Sequence, residues 1–294
     1  MPKTFWLIGP LLLFAVPAFG EAPHPLPAPG DVYEIIRTRN SVQATSDDTS
    51  SGSSNDRDTI IERVVAVRED GLELEYDLPA DPNGQGRRAN WQLPARIFKP
   101  FHGPAKLLNA AELEARVDGW LKAGKMTRAA CGHWIFTWNA FQIECDPSSA
   151  IGIIDGFDLG PGDLRAGILY QEKGALGPVP LKDPAGGAKA GNFVAEMEVD
   201  PDALRRARAE SDVVVGEITG KAVRLDAALA ARAREDISGT VTTTFKTDTA
   251  GRVQQKTIVS KIAIKDPSGK VQTETVTTVI ARRKAARQQS QDLI

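Results

Sequence analysis

Histidine and cysteine are scarce in this chain of 294 residues, which has three of the first and two of the second. A Cys/His zinc cluster, an iron–sulfur site and a disulfide-dense scaffold all need more of them and are excluded. Neither sign of charge dominates. Lys and Arg total 36 against 38 Asp and Glu, a formal charge of -2, so there is no general pull toward nucleic acid. After residue 20 no apolar run approaches the roughly 18 residues of a membrane-spanning helix. Cofactor and nucleophile motifs are missing too. There is no G-x-G-x-x-G or P-loop at a strand–helix junction, no G-x-S-x-G elbow, no H-E-x-x-H and no S-x-x-K set. No cofactor is expected, and an enzyme is the less favoured class.

What is present begins with an export pattern. Residues 1–20 place Lys3 before the apolar stretch Phe5 to Val16, and Ala18 and Gly20 before Glu21. This is the layout of a cleaved signal peptide, which implies a periplasmic or secreted protein. Residues 21–30 carry four Pro and read as an extended linker. Beyond it, residues 31–199 read as a β-rich half and 200–282 as a helix followed by a β-meander. Residues 283–294 form a basic, polar tail. The expected class is α+β, mainly antiparallel β: curved meander sheets with one amphipathic helix and two shorter helices packed on a face. The layout is similar to that of curved-sheet periplasmic carriers of lipids and lipoproteins, without a shared motif and without carrying any residue across.

Individual elements follow from local pattern. Leu72, Leu74 and Tyr76 alternate with Glu73, Glu75 and Asp77, a half-buried strand entered by the turn Glu69-Asp70-Gly71, with Gly71 free to take a positive φ. Ala89 to Phe98 predicts another strand, with Pro94 at an edge or bulge. Residues 46–56 are small and polar throughout and predict a long loop. Leu113, Val117, Trp120 and Leu121 form one stripe of a helix over Ala110 to Ala123, capped by Asn109 and stopped by Gly124. Residues 146–191 predict loops around one short strand, Leu164 to Gln171. Asp200-Pro201 opens a helix to about Glu210, Val213 to Thr219 reads as a strand, and Asp226 to Asp236 as an alanine-rich helix. The turns Asp248 to Gly251 and Asp266 to Gly269 join three C-terminal strands.

Both cysteines fall in the stretch CGHWIFTWNAFQIEC. A hairpin centred on Trp138 brings Cys131 opposite Cys145, and an oxidising compartment closes the disulfide. Trp134, Phe136 and Trp138 share a strand face by parity and are the candidate apolar ligand or partner patch. His133 shares a face with Cys131, but oxidation removes the thiolate that a Cys–His nucleophile requires. His24 and His102 lie in loops. Asp155, Asp158 and Asp163 are a weak calcium candidate, since their spacing does not match an EF-hand loop. Glu196 and Glu198 read as the wet face of a strand. The run from Arg282 to Arg287 is a minor candidate for anionic lipid.

Three functions fit. The first is an exported, non-enzymatic protein that binds an apolar ligand, with lipid or an envelope protein as partner and no nucleic acid. The second is a structural or assembly protein that pairs through sheet edges, using the meander with eleven Thr between residues 240 and 278. The third is a hydrolase whose carboxylates or histidines converge only in the fold.

Overall fold

The computed structural model describes residues 27–47, 50–84, 86, 90–136, 140–162, 164–184 and 191–285. The proposed signal peptide, most of the linker, Trp138, Asp163 and the end of the tail lie outside these residues. Thirteen strands are described: β1 Val32–Thr45, β2 Ser51–Arg68, β3 Gly71–Asp77, β4 Ala95–Pro100, β5 Lys106–Leu107, β6 Trp134–Phe136, β7 Ala140–Gln142, β8 Leu169–Tyr170, β9 Val179–Pro180, β10 Asn192–Glu198, β11 Asp236–Thr247, β12 Val253–Lys265 and β13 Val271–Lys284. The helices are α1 Ala110–Ala123, α2 Ser149–Asp155, α3 Pro201–Ile218 and α4 Leu225–Arg232. The fold is α+β and mostly antiparallel sheet, as expected.

Nine strands form one sheet in the order β10-β11-β12-β13-β1-β2-β3-β4-β5. The last long strand therefore pairs with the first, from Tyr33 opposite Lys284 to Thr45 opposite Gln272. The Thr-rich meander occupies interior positions, so it offers no edge. Outer strand β10 is itself bridged at Val194 by Lys182 and at Val199 by Ala175.

Directly opposed residues of an antiparallel pair share a face. One row crosses the sheet through Phe193, Phe245, Lys256, Ile280, Arg37 and Asp58. Two apolar clusters lie on that side. One joins Ile35, Ile60, Val64, Leu74 and Ile97 to Leu113, Val117 and Leu121 of α1. The other joins Ala195, Met197, Val241 and Phe245 to Ala175 and Leu181. Leu159 packs against both. Nearby, Gly160 has φ +95°, and a Cβ there would lie 2.9 Å from the Phe245 ring, so glycine is needed on both counts.

Several local expectations change. The polar run of residues 46–56 mostly continues β2, in register from Ala44 opposite Ser51 to Arg39 opposite Asp56. Backbone donors and acceptors make that ladder, and small polar side chains do not prevent it. Residues 213–218 belong to α3, an 18-residue helix. Asp200 Oδ1 accepts from Asp202 N and Ala203 N at 2.9 and 3.0 Å. The ion pairs Arg232–Asp212 and Arg208–Glu235 then tie the helix down. Against these, the strand preference of Val213 to Val215 is worth only tenths of a kcal/mol per residue. The strand expected over Leu164 to Gln171 is reduced to β8, and α2 replaces part of the expected loop. β4 begins at Ala95, after Trp91 and Leu93 have turned into the core.

The turn details differ as well. Gly71 lacks a positive φ; a Cβ there would come within 2.5 Å of the Lys99 carbonyl, so the need is close strand approach. Asn109 is the N-cap residue of α1, but its side chain makes no capping bond. Its Oδ1 accepts from Arg96 N at 2.9 Å, holding the helix entry to β4. Past α1, Lys125 rather than Gly124 takes the left-handed conformation, at φ 56°. Both Asp-first turns of the meander form as expected, with Gly251 and Gly269 at φ 75° and 91°.

The basic residues ending β13 are engaged. Lys284 pairs with Asp31 at 2.7 Å and Arg283 with Glu34 at 2.6 Å. The Lys284 ammonium, then the Ala28 N–H, hold the Asp31 carboxyl down to about 2. Arg282 pairs with Glu62 and lies 3.6 Å over the Tyr33 ring, while the Tyr76 hydroxyl donates to Glu62 at 2.7 Å. Glu62 is buried, so removing its cation strands a charge. Arg282→Ala is expected to lower unfolding stability by about 3 kcal/mol, measured by urea denaturation. The double variant Arg282→Ala/Glu62→Leu should recover part of that loss, and an unchanged midpoint in the single variant would contradict the assignment.

Candidate functional site

Cys131 and Cys145 form the disulfide, with Cα atoms 5.6 Å apart. The backbone places them opposite each other. Trp134 pairs with Gln142 and Phe136 with Ala140, and the same register extends to Cys131 and Cys145. Gly132 N donates to Ile143 O at 2.8 Å, and Ile143 N to His133 O at 2.9 Å. β6 and β7 make a separate two-stranded ribbon outside the nine-stranded sheet.

The base of the ribbon is anchored. Ile143 and Cys145 are buried in the first cluster, and Ile135 packs against it. On its flank Trp134 N donates to Glu217 Oε1 of α3 at 3.2 Å, and His133 Nδ1 lies 3.4 Å from the same oxygen. His133 is 68 % exposed and has no thiolate beside it, since Cys131 is oxidised.

Toward its tip the ribbon is apolar and open. Phe136 is 62 % exposed and Phe141 41 %. Phe136 stands opposite Ala140, whereas Phe141 stands opposite Ile135, so the two rings project from opposite faces. Trp134, half-buried, shares the Phe136 face; Trp138 lies outside the described residues. Phe141 was not among the sequence candidates, because parity from Trp134 selects only one face. Its signal was the register itself, which sets Phe141 opposite Ile135. On another side of α3 a shallow apolar groove of about 430 Å³ runs along α4, lined by Val215, Gly216, Val223, Ala227 and Ala231.

A second concavity, of about 670 Å³, lies between the two apolar clusters on the covered face of the sheet. Its floor holds Arg37 and Arg39 of β1, Asp56 and Asp58 of β2, Lys256 and Ile258 of β12, and Val276, Thr278 and Ile280 of β13. Asp155, Gly156 and Asp158 form one wall, Glu172 and Lys173 the other. Three of its five carboxylates are held by cations: Asp58 by Arg37 at 2.8 Å, Asp158 by Lys99 at 2.7 Å and Glu172 by Lys256 at 3.0 Å. This is the convergence of acids that a hydrolase reading needs, but ion pairs occupy three of the five and, among the described residues, no histidine lines the cleft. Asp155 and Asp158 come together here without calcium geometry. Among the described residues no three His, Cys, Asp or Glu side chains are grouped to hold a metal, and Asp163 lies outside them. Glu196 faces solvent and pairs with Lys182 at 3.1 Å.

The loop closed by the disulfide is worth about 3 kcal/mol in the chain-entropy model. Reduction is expected to lower stability by about that amount and to expose the 132–144 ribbon to proteolysis before the sheet. A thermal melt with and without reductant, followed by mapping of the first cleavage, measures both. An unchanged melting temperature would contradict a structural role for the bridge.

No protein family and no curated protein matches the chain. Among solved structures it is similar to one described as lipid–protein interactions in lipovitellin, at 9% sequence identity and TM-score 0.33, covering 88% of this chain and 26% of that one. It thus spans about a quarter of that chain's length. It is also similar to the dehydratase domain from the CurF module of curacin polyketide synthase, at 12% identity and TM-score 0.10, covering 86% of this chain and 77% of that one. Likenesses at these scores carry no argument about fold or function. Among the described residues no helix is long and apolar enough to cross a membrane.

Proposed function

We propose that this chain is an exported, non-enzymatic binding protein that attaches to lipid by inserting its disulfide-stapled ribbon. The observation that carries the reading is a pair of exposed rings, Phe136 and Phe141, on opposite faces of one rigid ribbon. A flat partner surface would cover one face and leave the other in water. The acyl region of a lipid layer surrounds an inserted ribbon on both sides and needs no shaped pocket. Burying one Phe side chain is worth about 1.5–3 kcal/mol, so two rings supply weak, reversible attachment. Around the ribbon lie His133, Gln142, Glu144 and Glu217 rather than a basic cluster, which favours neutral over anionic lipid.

The strand-pairing alternative has one observation of its own. Pairing of β2 with β3 starts only at Ile61, so the outer side of β2 from Ser51 to Ile60 meets no further strand among the described residues. That edge carries Asp56, Arg57 and Asp58, the kind of charged side chains that keep an edge from pairing, and it supports the alternative less well.

Flotation with phosphatidylcholine vesicles tests the lipid reading. The full chain is expected to rise with the vesicles, Phe136→Ser or Phe141→Ser alone to cut the bound fraction about tenfold, and the double variant to stay at the bottom. Failure of the unsubstituted chain to float, or equal flotation of the double variant, would overturn it.

A further inference from the structure

The charged cleft is remote in kind from the ribbon. It interrupts the apolar face of the sheet between the two clusters. Arg37, Arg39, Asp56, Asp58 and Lys256 all occupy inward-facing positions, on the rows that run from β12 to β2. Lys256 is buried, and its charge is costly there unless paired; Arg37 is half-buried, and Arg39, Asp56 and Asp58 are exposed where the cleft opens. Arg37 pairs with Asp58, donates to the Gly156 carbonyl at 3.4 Å and lies 4.7 Å over the Phe157 ring. Lys256 pairs with Glu172 and lies 5.8 Å from the Tyr170 ring centroid. Arg39 and Asp56 stand opposite each other across β1 and β2.

Among the described residues four charged groups of the cleft make no ion pair: Arg39 and Asp56, which face each other across adjacent strands, and Asp155 and Lys173, which stand on its opposite walls. Asp155 ends α2, next to Gly156, which is fixed over β1 by Arg37. Partial desolvation and then the neighbouring Asp158 raise its carboxyl, against a smaller opposing effect of Lys99, which is paired with Asp158. Lys173 follows Glu172, which is fixed to β12 by Lys256. Between the two ends the floor carries Ile258, Val276, Thr278 and Ile280 beside Arg37 and Arg39. β12 and β1 are two strand steps apart and β12 and β2 three, or about 10–14 Å at about 4.8 Å per step.

We propose that the cleft binds a short free peptide as a zwitterion, its ammonium group at Asp155, its carboxylate at Lys173 and its small side chains on the apolar floor. An extended chain of three or four residues spans about 10–14 Å, which matches the spacing of the strands beneath the two ends. A single amino acid is too short to reach both. The volume of about 670 Å³ lies within the usual range for small-molecule sites. The ion pairs of the cleft are in place beforehand, so the ligand adds partners at Asp155 and Lys173 rather than breaking existing ones.

Isothermal titration calorimetry of the full chain with tetra-alanine tests this. Tetra-alanine is expected to bind at micromolar affinity. Its N-acetylated and C-amidated forms should each bind at least tenfold more weakly, and glycine should give no saturable heat. Asp155→Asn should remove the preference for a free amino end alone, and Lys173→Met the preference for a free carboxylate alone. Both side chains are exposed, and unchanged circular dichroism confirms that the variants fold. Phe136→Ser should bind the peptide normally, so failure of the lipid reading and failure of this one are separable. Equal binding of the blocked peptides, or no binding of tetra-alanine, would overturn the proposal.

Discussion

The pairing of β1 with β13 is the constraint on which the rest of the structure depends. It joins the start of the described chain to its end and converts two meanders into one sheet of nine strands. Backbone pairing alone leaves register open to slippage in polar strands. Here the register is pinned at one end by charge. Arg282 reaches Glu62 past Tyr33, and Arg283 and Lys284 reach Glu34 and Asp31. A slip by one residue would turn Arg282 to the opposite face and leave Glu62 buried without its cation. The same slip would move Ile280 off the apolar side, where it belongs to the first cluster.

Both candidate surfaces depend on that sheet. The ribbon is a branch of the segment that covers it, rooted by Ile143 and Cys145 in the first cluster. The disulfide joins the two strands at the base of the ribbon, and the exposed rings lie on its paired strands. The charged cleft exists because the cover is built in two parts. The parts leave a gap over β12, β13, β1 and β2, where Arg37, Arg39, Asp56, Asp58 and Lys256 stand among the apolar residues of the sheet. The lipid and peptide proposals thus use different products of one architecture.

Much of the scaffold was legible in the sequence because its signals are local. The helix over Ala110–Ala123 follows from one apolar stripe. The meander turns follow from Asp at the first position and Gly at the fourth, with Asp248 Oδ1 and Asp266 Oδ1 each accepting two backbone N–H groups. The disulfide follows from two cysteines placed evenly about Trp138. What was not legible depends on partners distant in sequence. Residues 51–56 look like a loop until β1 is known to lie beside them. Val213 to Val215 look like a strand until Arg232 and Glu235 are seen anchoring the helix. The cleft could have been glimpsed in β1 itself, where the inward sequence Tyr33, Ile35 gives way to Arg37, Arg39. That break means little until Asp58 and Lys256 are found in the same row.

Native-state hydrogen exchange across β1, β2, β12 and β13 tests the central claim most directly. One sheet joined through β1 and β13 predicts that the amides of all four strands open together, at the free energy of global unfolding. Exchange of residues 253–284 at a distinctly lower free energy than residues 32–68 would show two independent halves, and would contradict the account.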